Sequence, residues 1–177
     1  MSMLKRKRSG YLIAEAGPAL WLIFMVFSFP LALFGSLGLR YSLLMNTVYS
    51  AAAAASQCKS FKTNTSSSDL SASNLASQLV QQAISQYPGI TVSQTNSYIV
   101  IYPLGGSTST RQSTPLTQPA DISTNAYNLE VVVQAQVSPL LNYPPNGFFG
   151  NIPGLTGPIS TTAKADSFFE NTQGLTQ

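Results

Sequence analysis

The sequence predicts an α+β protein. A long N-terminal transmembrane helix extends outward, and a small domain follows in which one helix packs on a four-stranded, mainly antiparallel sheet. Three observations carry this expectation. From Ala19 to Leu39 the chain runs 21 residues without a charge, which at about 1.5 Å per residue spans roughly 31 Å, the hydrocarbon thickness of a bilayer. Between Ala72 and Tyr87 apolar side chains return with the period of a helix, and beyond Ile90 the period becomes two. The 177 residues hold one membrane segment and one domain of about 100–120 residues, near the common domain size.

The membrane segment comes first. Lys5, Arg6, Lys7 and Arg8 lie on its N-terminal side, so the positive-inside rule puts the N-terminus in the cytoplasm and the rest of this single-pass chain outside. Trp21 and Tyr41 stand near the two interfaces, where aromatic residues collect. A cleaved secretory signal would have an apolar core of only about 7–15 residues. A lipoprotein signal fits poorly, because Gln57 precedes Cys58 far beyond a signal's usual length. A plain uncleaved anchor stays open.

The apolar pattern continues past the membrane. Leu43, Leu44, Thr47, Val48, Ala51, Ala52 and Ala55 recur at spacings of three and four, so one helix is expected from about Pro18 to Ser56, roughly 58 Å long. Pro18 suits a first turn, and Pro30 is expected to kink or locally melt the helix. Ser28, Ala32 and Ser36 are spaced by four with Gly35 beside them, a small-residue face that lets two helix backbones approach. The alanine run makes the same suggestion outside the membrane.

The outer elements follow in order. Cys58–Ser68 is polar and reads as a linker, with a chance match to a glycosylation sequon at Asn64-Thr65-Ser66. Ala72, Leu75, Ala76, Leu79, Val80, Ala83, Ile84 and Tyr87 form one face of a helix capped by Ser68 or Asp69 and ended by Pro88-Gly89. Ile90–Gln94 and Tyr98–Tyr102 flank Thr95-Asn96-Ser97 and read as a hairpin. Leu129, Val131, Val133, Ala135 and Val137 alternate with polar residues, as do Ile159, Thr161, Ala163, Ala165, Ser167 and Phe169, giving two more half-buried strands. Two long connections remain. Gly105–Asn125 reads as mobile, and Pro139–Pro158 carries five prolines with Tyr143, Phe148 and Phe149. Those aromatics either form a subunit contact or fold back over the sheet.

Composition narrows the function. Charged residues make up 8% of the chain, against roughly 25% in a typical soluble domain. The formal net charge of +3 belongs to the leader: beyond Gly10 five cations meet six acids, 5 − 6 = −1. No basic surface for nucleic acid is expected. Cys58 is the only cysteine and histidine is absent, which removes an intrachain disulfide, a cysteine zinc site and the commonest general base. No phosphate loop or paired catalytic carboxylates stand out. Asp166 and Glu170, four apart on one strand face, read as solvated edge residues. Neither a cofactor nor a metal nor an enzymatic activity is expected.

The N-terminal residues point to a family. The basic leader, Gly10, the run Tyr11-Leu12-Ile13-Ala14, Glu15 and a long apolar helix together resemble a class III prepilin signal. The chain resembles the TadE-like pseudopilins, or minor pilins, of tight-adherence pilus systems. In place of the aromatic residue that often follows the glutamate, Ala16-Gly17-Pro18 follows here. TadE-like outer domains are similar in layout, a helix then strands, and Thr161–Glu170 resembles their final strand. The resemblance implies a peptidase cut between Gly10 and Tyr11. It divides the chain into a leader at 1–10, a transmembrane and assembly helix at 11–57, a linker at 58–68 and an outer domain at 69–177. It also implies partners: the membrane, a prepilin peptidase, other pilin subunits and the assembly machinery.

Physics gives Glu15 two readings. A carboxylate in lipid is expensive unless paired. The α-amine that cleavage would create at Tyr11 is one turn away and on the same face, and the family reading lets Glu15 pair with a neighbouring subunit's Tyr11 amine as an assembly register. Alternatively Glu15 snorkels to the headgroups. A structural minor subunit is therefore the leading expectation. The competing ones are a major filament pilin, bacterial or archaeal, and a signal-anchored surface module for adhesion or binding.

Overall fold

The computed structural model describes the backbone of residues 6–64, 69–141 and 152–177, and side chains from residue 16 onward. It has the expected class: a long apolar N-terminal helix, then one helix and a four-stranded antiparallel sheet.

Helix α1 runs from Arg6 to Ala55, 50 residues, about 75 Å at 1.5 Å per residue. It starts well before Pro18, and neither Pro18 nor Pro30 interrupts it. Each proline removes one amide donor, and the apolar residues on both sides keep the helix going. Its C-terminal part belongs to the core of the folded domain. Leu44, Val48, Ala51, Ala52 and Ala55 are fully buried and face helix α2 (Ala72–Ser85) and the sheet. Ala51, Ala52 and Ala55 of the run expected to pack against a helix are thus taken up inside the molecule, where their small size lets α1 lie close to α2 and the sheet, while Ala53 stays exposed.

Residue Ser71 caps α2, rather than Ser68 or Asp69, and makes no side-chain capping bond. The α2 stripe of Ala72, Ala76, Val80 and Ile84 is buried, as its periodicity requires. At its end Gly89 turns the chain at φ +88°, a conformation only glycine adopts readily.

The sheet has strands β1 (Ile90–Pro103), β2 (Thr110–Gln112), β3 (Asn125–Val137) and β4 (Ile159–Phe168), in the order β2-β1-β3-β4, all antiparallel. Two strand assignments differ from expectation. Ile90–Tyr102 is one continuous strand, not a hairpin: Thr95, Asn96 and Ser97 pair with Val133, Val132 and Val131. The register shifts between Val92 and Gln94, so Ser93 is the extra residue of a bulge, and its Oγ donates to the Gln134 carbonyl at 3.0 Å. Inward residues are even-numbered before the bulge (Ile90, Val92) and odd-numbered after it (Ile99, Ile101). The fourth strand, β2, lies inside Gly105–Asn125, the connection expected to be mobile. Arg111 holds it down by reaching across Tyr98, 3.5 Å from the ring centroid, to Glu130 at 2.7 Å. Farther along that connection, the Asp121 carboxylate accepts bonds from Ser123 and Thr124, which hold its pKa below the ordinary value.

The β3 and β4 alternations are as expected. Leu129, Val131, Val133, Ala135, Ala163 and Ala165 are buried beneath the helices, while Glu130, Gln134, Lys164 and Asp166 take the outer face. Asp166 accepts a bond from Asn128 Nδ2 at 2.9 Å, and Glu170 lies past the end of β4. The stretch expected as a linker is partly core: Ser60 and Phe61 are buried, and Phe61 N donates to the carbonyls of Gly174 and Gln177. Gly174 is required there, since a Cβ would collide with the Lys59 carbonyl.

Candidate functional site

The feature with the strongest functional content is the part of α1 that its own domain leaves uncovered. Leu20 to Phe27 are eight consecutive apolar residues, all exposed, at 48–66%. Eight residues cover every side of a helix. A helix apolar all round belongs in a core or in lipid, and here only 6% of its most apolar window is buried. The residues from Ala16 to Ala55 include a stretch long and apolar enough to cross a membrane.

The small-residue face lies on this shaft. Ala32 and Gly35 are exposed, and a Cβ added at Gly35 or Gly38 would meet nothing within 4 Å. Ser28 and Ser36 are half-buried, and the Ser36 hydroxyl donates to the Leu33 carbonyl at 2.7 Å. At 100° per residue, positions 28, 32 and 35 point well away from Leu33, Leu37 and Leu44, which the domain covers. The structure therefore groups Ser28, Ala32 and Gly35 on the side turned away from the domain, with Ser36 at its edge.

Gly10, Tyr11 and Glu15 lie within α1, on continuous helical backbone; their side chains are outside the described residues. Tyr143, Phe148 and Phe149 also lie outside them, so neither reading of that loop is decided. Where the loop ends, at Ile152–Gly157, it has turned back along α1. A Cβ at Gly154 would strike Leu37 and Ile159.

The junction between shaft and domain rests on Arg40, the first charge after the apolar run. Its guanidinium donates to the Ser138 carbonyl at the end of β3 and lies against Gly89, where a Cβ would be 2.5 Å from Cζ. Ser138 N in turn donates to the Gly89 carbonyl at 2.8 Å. One side chain thus ties α1, the α2–β1 turn and the β3 exit together. Sequence reasoning counted Arg40 only as a charge. Its isolation after 24 uncharged residues was the available signal.

Arg111, Glu130, Lys164 and Asp166 gather on the outer sheet face, with both signs mixed. Burial, and then the Asp69 charge, push the Cys58 thiol up, which lowers its thiolate fraction and reactivity. No cluster of three metal-ligating side chains occurs among the described residues. Comparison with protein-family models, with curated proteins and with solved structures finds no match to this chain.

Proposed function

We propose that this chain is a minor pilin or pseudopilin of the TadE-like, tight-adherence type, processed after Gly10 and held in the membrane by α1 until it is assembled. The observation that carries the reading is the apolar shaft, exposed on all sides from Leu20 to Phe27 and continuous with the core of an α+β domain. Such a helix needs lipid before assembly and other helices after it. The small face at Ser28, Ala32 and Gly35 is the surface along which another subunit's helix would pack. The basic leader orients the chain with its N-terminus inside. Nothing in this role needs a cofactor, a catalytic group or nucleic acid.

On this reading Gly10 also eases cleavage. Glycine inside a helix is less favourable than alanine by roughly 1 kcal/mol, which lowers the cost of opening α1 around the bond to be cut. The test is intact-protein mass spectrometry of membrane fractions from cells with and without a prepilin peptidase. The expected mature chain begins at Tyr11, only where the peptidase is present. A chain beginning at Met1 or Ser2 in both would sink the reading and favour a signal-anchored surface module. Glu15→Ala should leave the cut intact and reduce incorporation into filaments, whereas unchanged incorporation would remove the register role. A major filament pilin would instead dominate sheared filaments by mass.

A further inference from the structure

The membrane-facing end of the domain carries a second apolar element. Strand β4 starts beside Leu37 and ends near Ser56, whose Oγ lies 3.0 Å from Ser167 Oγ. The domain's lower end is therefore the one with Gly89, Ser138 and Ile159, and it faces the shaft. From there the Ile152–Thr156 turn reaches farther down α1. Ile152, Pro153 and Leu155 line one apolar groove with Met25, Phe29 and Leu33.

The level of the bilayer on α1 can be bracketed. A span needs about 20 residues. The cations at 5–8 must stay outside the hydrocarbon, so the lowest placement runs from Gly10 to about Phe29. The highest is the uncharged run that ends at Leu39, before Arg40. The turn lies beside residues 25–33. In the first placement it sits at the lipid boundary, and in the second inside the hydrocarbon.

The turn's chemistry suits that position. Ile152 is 46% exposed. Every backbone N–H from Ile152 to Thr156 is bonded within the turn or its flank: Ile152 N to Thr156 Oγ1 at 2.9 Å, Gly154 N to Gly157 O at 2.8 Å, Leu155 N and Thr156 N to Ile152 O at 3.0 and 2.9 Å. Pro153 has no N–H to satisfy. The Thr156 hydroxyl donates back to Ile152 O at 3.0 Å and is itself buried. Irregular backbone enters lipid more easily the more of its polar groups are satisfied internally, and here all of the turn's backbone donors are.

We propose that the Ile152–Thr156 turn is embedded in the outer leaflet beside α1, with lipid acyl chains filling the groove between turn and helix. The proposal rests on α1 being the membrane span. The turn then fixes the domain's height and tilt over the bilayer, because it and α1 enter lipid together.

Full-length protein with Cys58→Ser is reconstituted in vesicles of phosphatidylcholine and phosphatidylglycerol, with one added cysteine carrying an environment-sensitive fluorophore. The positions are Leu22→Cys on the shaft, Ile152→Cys and Leu155→Cys in the turn, and Leu104→Cys at the far end of β1. Nitroxides on the lipid acyl chains should quench Leu22, Ile152 and Leu155 probes and spare Leu104, while aqueous iodide should do the reverse. Quenching at Leu22 with iodide access at both turn positions would overturn the proposal and leave the span standing. No lipid quenching at Leu22 would overturn both. Turn probes shielded from lipid and iodide alike, in proportion to protein density, would mean that a second copy covers the turn and would also overturn it.

Discussion

At the residue scale, Arg40 matters most, because it turns two packed pieces into one body. Its charged hydrogen bond to the Ser138 carbonyl and its fit against Gly89 join elements far apart in sequence. Removing it leaves that carbonyl without its charged donor at a half-buried site. Arg40→Ala should lower unfolding stability by about 1–2 kcal/mol, the range for a charge-assisted bond discounted for partial exposure. Urea unfolding in detergent would show this as a lower midpoint at constant slope. Hydrogen exchange at the Ser138 amide should quicken at the same time. An unchanged midpoint and exchange rate would mean that the helix and domain are held by apolar packing alone. Glu15 and Gly10 stand out in the sequence because their types are odd for their surroundings. Arg40 is an ordinary residue with an extraordinary neighbour, and neighbours across a fold are what a linear reading lacks.

At the element scale, the class of each long segment was legible, because period 3.6 and period 2 differ plainly in α2, β3 and β4. What misled was β1. Its inward residues change parity at Ser93, and a change of parity looks the same whether the chain turns back or carries one extra residue. Polar Thr95 and Ser97 lie on the inward face and made a turn more attractive, but their neighbours in β3 supply the apolar cover. The bulge reading makes a sharp prediction. Deleting Ser93 removes the one residue without a partner in β3 and leaves Ile90, Val92, Ile99 and Ile101 all on the inward face in strict alternation. The variant should therefore keep its cooperative transition in circular dichroism, whereas in a hairpin the same deletion would put Ile90 and Val92 on the wrong face, at about 1.5–3 kcal/mol for each apolar side chain moved from core to surface. Loss of the transition on deletion would argue for the hairpin instead.

The shaft yields the second element-scale prediction. Gly35→Leu adds a side chain where the chain by itself has open space, so unfolding of the domain should change by no more than about 0.5 kcal/mol. The same side chain would hold a second helix away from this face. Energy transfer between labelled copies in micelles should fall for Gly35→Leu relative to Ile23→Ala, a change on the opposite side of α1 at 100° per residue. Equal transfer in both would free this face from any part in assembly. Small residues at i, i+4 spacing were readable from sequence, but their direction was not. Only the packing of Leu33, Leu37 and Leu44 against the domain shows which side α1 leaves open.

At the scale of the whole molecule, α1 is two things at once, a shaft at one end and a core helix at the other, and this sets where the folded domain begins. Sequence periodicity divides the chain at Cys58, where the apolar helix gives way to polar residues. Packing does not divide it there. Leu44 and Val48 are fully buried between α2 and the sheet. Those two residues alone contribute about 3–6 kcal/mol, before the three buried alanines are counted. A domain of this size has a net stability of about 5–15 kcal/mol, so losing the helix removes most or all of it and uncovers Leu129, Val131 and Val133. A chain starting at Cys58 should therefore lack a cooperative thermal transition, whereas one starting at Arg40, which keeps the Ser138 tie, should unfold in a single step. A peptide of residues 40–56 added to the shorter chain should restore the transition in proportion to its concentration, because it supplies the missing core face. Cooperative folding of the chain from Cys58 alone would make α1 a docked appendage, and the domain could then tilt on the shaft. Failure, with rescue by the peptide, makes any pull on the shaft a pull on the core, which is the mechanical coupling the proposed assembly role requires.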